Sequence, residues 1–133
     1  MSKHRYVTGL LLTSALCMAL VGCGPSGPPV GQVTGVVTVD GAPVEGVLVT
    51  FVPGSNDQGS STDGYTDADG RYELQYAKDV MGAAPGVNTV QVTWPPGVEA
   101  TAKIPQDWGL KSQNTFDVKE GEDNVHDIKI TNN

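Results

Sequence analysis

The chain has 133 residues, of which 17 are Gly and 9 are Pro, and its 8 Lys and Arg stand against 15 Asp and Glu for a net charge of -7. Gly and Pro are the poorest residues inside helices, so a helical bundle is excluded, and the length permits one domain. The acidic balance excludes binding to a nucleic-acid backbone, and 38% apolar residues suffice for a small core and exceed what a disordered tail carries.

Lys3, His4 and Arg5 form a basic start, and residues 7–21 follow without charge, rich in Leu, Ala and Val. That run falls short of the roughly 20 apolar residues of a membrane-spanning helix. A basic start, a short apolar run and small residues at its end have the form of an export signal. Leu20-Val21-Gly22-Cys23 then resembles the lipobox of bacterial lipoproteins. In that family the cysteine thiol takes a diacylglycerol, and a peptidase cuts just before it, where a small residue is needed. The resemblance implies a signal peptide over residues 1–22, cleavage between Gly22 and Cys23, and Cys23 as the lipidated mature N-terminus. The membrane is then a partner through acyl chains such as palmitate. Each buried methylene contributes about 0.8 kcal/mol, so several chains anchor firmly where one is marginal. The alternative is an ordinary secretory signal cut nearby, which leaves Cys23 free. Gly24 stands where Asp resembles an inner-membrane retention signal of enteric bacteria, so the expected location is the cell envelope, with the outer membrane favoured.

Cys17 lies inside the apolar run and leaves with it, so the mature domain holds no cysteine for a disulfide or a thiolate metal site. Loss of Lys3 and Arg5 moves the charge to -9 over 111 residues. Gly22-Cys23-Gly24-Pro25-Ser26-Gly27 matches a dinucleotide-binding GxGxxG, but neither a strand precedes it nor a helix follows, so that chemistry is rejected. Residues 23–31 read as the lipidated cysteine and a Gly/Pro tether.

From residue 32 the apolar period is two. Val33, Val37 and Val39 share one parity, and Asp40-Gly41 signals a turn. Val47, Val49 and Phe51 alternate next, ended by Pro53-Gly54; a short strand is predicted near residues 64–66. Asp69-Gly70 turns into Arg71-Tyr72-Glu73-Leu74-Gln75-Tyr76, and residues 87–94 follow with Val90, Val92 and Trp94 inward. Residues 115–119 and 126–130 close the chain, with a hairpin predicted across residues 120–124. About seven strands with frequent turn signals predict an all-β antiparallel sandwich over residues 32–133, its core built on Phe51, Tyr72, Leu74, Val90, Val92 and Phe116. The 20 residues 95–114 form a long connection of the kind that is often functional.

Val33-Thr34-Gly35-Val36-Val37-Thr38-Val39-Asp40-Gly41-Ala42-Pro43-Val44-Glu45-Gly46-Val47 resembles the opening of carboxypeptidase regulatory-like domains, and Thr66-Asp67-Ala68-Asp69-Gly70-Arg71-Tyr72-Glu73-Leu74 resembles their second signature. The resemblance implies a transthyretin-like (prealbumin-like, Ig-like) sandwich. Ala84-Pro85-Gly86, Ile104-Pro105 and Val118-Lys119-Glu120-Gly121-Glu122-Asp123-Asn124 are similar to small lipoproteins of planctomycete bacteria. Relatives often carry Lys-Tyr after the Ile-Pro, where this chain has Gln106-Asp107-Trp108.

The expected role is a non-catalytic structural or binding module of the envelope, without a cofactor, meeting an envelope protein or polysaccharide. His126 shares parity with Ile128 and Ile130 and points inward, with no nucleophile elbow to make it part of a hydrolase triad. The alternative function is calcium or carbohydrate binding. Asp57, Asp63, Asp67 and Asp69 crowd one stretch without Lys or Arg, and hard cations take such oxygens, although EF-hand spacing fails. Trp108, with Trp94-Pro95-Pro96 at the base of its loop, offers an aromatic surface for a sugar.

Overall fold

The computed structural model describes residues 28–54 and 59–132. The lipobox, Cys23 and Gly22, the apolar run before them, and Asp57 lie outside these residues.

Eleven strands follow one another: β1 Gln32–Val39, β2 Ala42–Pro43, β3 Leu48–Pro53, β4 Thr62–Tyr65, β5 Arg71–Glu73, β6 Gln75–Ala77, β7 Val80–Met81, β8 Gly86–Thr93, β9 Thr115–Val118, β10 Asp123–Val125 and β11 Ile128–Ile130. The described residues contain no helix, and hence none long and apolar enough to cross a membrane. The larger count over seven comes from two two-residue strands, β2 and β7, from the expected strand over residues 71–76, which divides into β5 and β6, and from β10, which forms where a hairpin was expected.

One sheet is antiparallel, in the order β7-β6-β4-β3-β8-β9. The other is built around β1 and is mixed, which corrects the expectation of an all-antiparallel fold. On one edge β1 runs parallel to β10 and β11, Gln32 opposite Asp123 and Val37 opposite Ile128. On the other edge it runs antiparallel to β5 and β2. Asp40 (φ 51°) and Gly41 (φ 87°) make the tight turn into β2, the pair of positive φ values that matches the right-handed twist of a two-residue hairpin.

The divided strand crosses between the sheets. β5 pairs with β1, Leu74 is fully buried at the crossing, and β6 pairs with β4. β10 and β11 lie beside β1 in one register, but the ladder is interrupted at His126 and Asp127. Residues 123–125 are therefore strand, and the hairpin expected across residues 120–124 is instead a passage from β9 in one sheet to β10 in the other. Alternation in sequence marks which side chains point inward. It carries no information about which strand lies alongside.

The two sheets enclose one core, consistent with a β-sandwich. Val33, Val37 and Val39 of β1 meet Val49 and Phe51 of β3, Val90 and Val92 of β8, and Ile128 and Ile130 of β11. Tyr72 and Leu74 are buried as expected, while Phe116 is half-buried against the cluster. Fully burying a side chain of this size contributes about 1.5–3 kcal/mol.

Residues 95–114 form a loop along an edge. β9 covers β8 only from Gly86 to Thr89. Beyond that, the Val90 amide donates to the Asn114 carbonyl and the Val92 amide to the Trp108 carbonyl. The loop thus continues the ladder where β9 stops, and an otherwise exposed strand edge is closed.

Candidate functional site

Asp67 is spent on its own turn. Its Oδ1 accepts from the amides of Asp69 at 2.9 Å and Arg71 at 3.0 Å, and its backbone pairs with Arg71 and Gly70. Asp69 is exposed in the turn, and Asp63 is exposed on β4 opposite Thr50. Among the described residues no three His, Cys, Asp or Glu converge as a metal-holding group.

Trp108 is half-buried and packs against the core, as Trp94 does. The Trp94 Nε1 donates to the Ala102 carbonyl at 2.9 Å. Trp94 thus ties the long loop to the end of β8, and Trp108 packs against the same core from within the loop. A cavity of about 360 Å³ lies between Trp94, Ile104, Pro105 and the exposed Leu110.

His126 points inward as its parity implies. Its ring lies 4.4 Å from that of Phe116 and 6.2 Å from that of Phe51, edge-on to the latter. Burial pushes its pKa down, opposed by the charge of Asp127.

The larger concavity lies on the outer face of the mixed sheet, a groove of about 600 Å³. Thr34 and Val36 of β1 form its floor. Thr34 stands between Val125 and Glu73, and Val36 stands between Asp127 and Arg71. Tyr65 and Asp67 complete the β5 side. The ladder interruption shapes this floor. The Asp127 Oδ1 accepts the Val36 amide at 3.0 Å, in place of a backbone carbonyl. The Tyr72 hydroxyl takes the His126 carbonyl, and burial, with Asp127 second, raises its pKa.

Tyr65, Arg71, Glu73 and Asp127 were not singled out in the sequence as a site. Outward parity of Arg71 and Glu73 was readable from the alternation, but their neighbours across β1 come from residues more than fifty positions away.

No protein-family model matches the chain, and no curated protein matches it. A comparison with solved structures finds similarity to the Bacillus anthracis TIE protein, at 18% identity and a TM-score of 0.48. The match covers 78% of this chain and 17% of that one.

Proposed function

We propose that this is an exported lipoprotein, held on the cell envelope by lipid on Cys23, whose sandwich is a non-catalytic structural or binding module. The observation that carries the reading is Leu20-Val21-Gly22-Cys23 behind a basic start and an uncharged apolar run. The fold supports a short tether with a fixed point of entry. Gln32 opens β1 nine residues after Cys23. Pro28 and Pro29 are exposed, whereas Val30 and Gly31 already belong to the body: the Gly121 amide donates to Val30, and Gly31 bridges to Ala83.

The sandwich itself is read as a prealbumin-like domain of the carboxypeptidase regulatory-like kind, on its two sequence signatures. In support, the second signature forms the self-bonded Asp67 turn and the buried Tyr72, both of which serve the fold. A non-catalytic role fits the packing of His126 between aromatic rings. The outer membrane is the favoured location because Gly24 follows Cys23. A second reading, carbohydrate binding by the same module, is favoured by the groove over β1 rather than by Trp108.

The test is Cys23→Ala expressed in a bacterium with an outer membrane, followed by fractionation and labelling with radioactive palmitate. The native protein should be labelled and sediment with membranes. The variant should lose the label and be released or remain as precursor. A variant that is still processed and membrane-bound would refute the anchor.

A further inference from the structure

We propose that the groove on the outer face of the mixed sheet binds a neutral saccharide chain, with the Tyr65 ring as its stacking surface and Arg71, Glu73 and Asp127 as its hydrogen-bonding frame. This rests on the reading of the sandwich as a binding module and needs no lipid on Cys23.

The first support is exposure. Tyr65 is 63% exposed and Val125 66%, two large apolar side chains flanking one concavity. The volume of about 600 Å³ falls inside the 300–1,000 Å³ range usual for ligand clefts. The second support is rigidity. The Val36 amide fixes the Asp127 carboxylate, and the amides of Asp69 and Arg71 fix that of Asp67. The Tyr72 hydroxyl beneath them is committed to His126. Groups held this way lose little freedom on binding, and Tyr65, Arg71 and Glu73 stand on strands, which position side chains better than loops do.

Charge then selects the ligand. Arg71 stands among Asp67, Glu73 and Asp127, yet among the described residues the ion pair is Lys119 with Asp117, and Arg71 has none. Its guanidinium keeps donors for an outside acceptor. An anionic ligand would meet three carboxylates, while a cationic one would meet Arg71 among them and, within the described residues, no three carboxylates that converge to hold it. A polyol suits both, because each hydroxyl both donates and accepts. Adjacent hydroxyls of one sugar ring can donate to a carboxylate and accept from the guanidinium together. The apolar C–H face of the ring then lies on Tyr65.

The test is calorimetric titration of the detergent-solubilised full-length protein. The probes are cellohexaose, maltohexaose and chitohexaose as neutral chains, with polygalacturonate and hexalysine as charged ones. At least one neutral chain should bind and outcompete both charged probes. Tyr65→Ala and Arg71→Gln should each weaken it at least tenfold with unchanged melting curves, Tyr65→Phe should retain it, and Trp108→Phe should leave it unaltered. Absence of binding by every neutral probe, preference for a charged one, or binding that survives Tyr65→Ala would each overturn the proposal. So would self-association in sedimentation that Tyr65→Ala abolishes, since a second copy would then occupy the groove. None of these results depends on whether Cys23 carries lipid, which membrane fractionation decides separately.

Discussion

The Tyr72 hydroxyl donates to the backbone carbonyl of His126, 2.5 Å away, past Gly35 of the strand that lies between them. The parallel ladder between β1 and the last two strands breaks at this place. The His126 amide still reaches the Thr34 carbonyl, but its carbonyl turns to Tyr72, and Asp127 supplies a side-chain oxygen to Val36. Two side chains thus satisfy what the interrupted backbone leaves open. The arrangement needs Gly35, because a Cβ there would overlap the His126 carbonyl oxygen and come within 2.9 Å of the Tyr72 ring.

Tyr72→Phe should therefore lower unfolding free energy in urea by about 1–2 kcal/mol, the cost of one unpaired carbonyl in a buried setting. Gly35→Ala should cost more, about 3 kcal/mol, because backbone rather than a flexible side chain must move. Equal effects of the two substitutions would show that the glycine is not required for the close approach.

Stability should also depend on pH through His126. Its folded pKa lies below the ordinary value of 6.5, because burial against Phe51 and Phe116 penalises the charged ring more than Asp127 favours it. The unfolded chain then binds the proton more readily than the folded one, so stability falls as pH drops below 6.5 toward the folded pKa. Above 6.5 this contribution is complete. Urea midpoints between pH 7.5 and 5.5 should fall for the native protein, and His126→Phe should flatten that fall. A slope unchanged by the substitution would assign it to other groups.

Asp67→Ala removes an acceptor from two backbone amides and should cost about 1–2 kcal/mol, with Asp67→Asn recovering most of it through its remaining oxygen. Asp63→Ala, on an exposed strand position, should stay within about 0.5 kcal/mol. Millimolar calcium should not raise the melting temperature, since the Asp67 carboxylate already serves its turn. A calcium-dependent rise lost in Asp63→Ala would instead restore the cation reading.

Much of the sandwich was legible because burial writes itself into strands with period two. Val33, Val37, Val39, Val49, Phe51, Val90 and Val92 alternate in sequence and are buried in the fold. The Asp40-Gly41 turn was equally readable, since its positive φ values need those residue types. Pairing was not readable. His126, Ile128 and Ile130 show the same parity whether their neighbour is β9 or β1, so a local turn signal at residues 120–124 suggested a hairpin that the sheets do not contain. The groove depends on that pairing, because Asp127 faces Arg71 only once β1 stands between β5 and the chain's end. The loop was legible as long and aromatic, but not as the cover of an edge.

That covering role makes Ser112 the most informative position in the loop. Its Oγ donates to the Val90 carbonyl at 2.5 Å and accepts from the Asn114 amide at 3.1 Å and the Asn114 side chain at 3.2 Å. The Val90 amide in turn donates to the Asn114 carbonyl. Both backbone groups of Val90 are thus held by two loop residues, and Ser112 joins them. Ser112→Ala should cost about 1–2 kcal/mol and speed hydrogen exchange at the Val90 and Val92 amides, while the part of β8 paired with β9 stays protected. A loop acting as an independent lid would give the opposite pattern: those two amides would exchange rapidly in the native protein, and removing the hydroxyl would not change them.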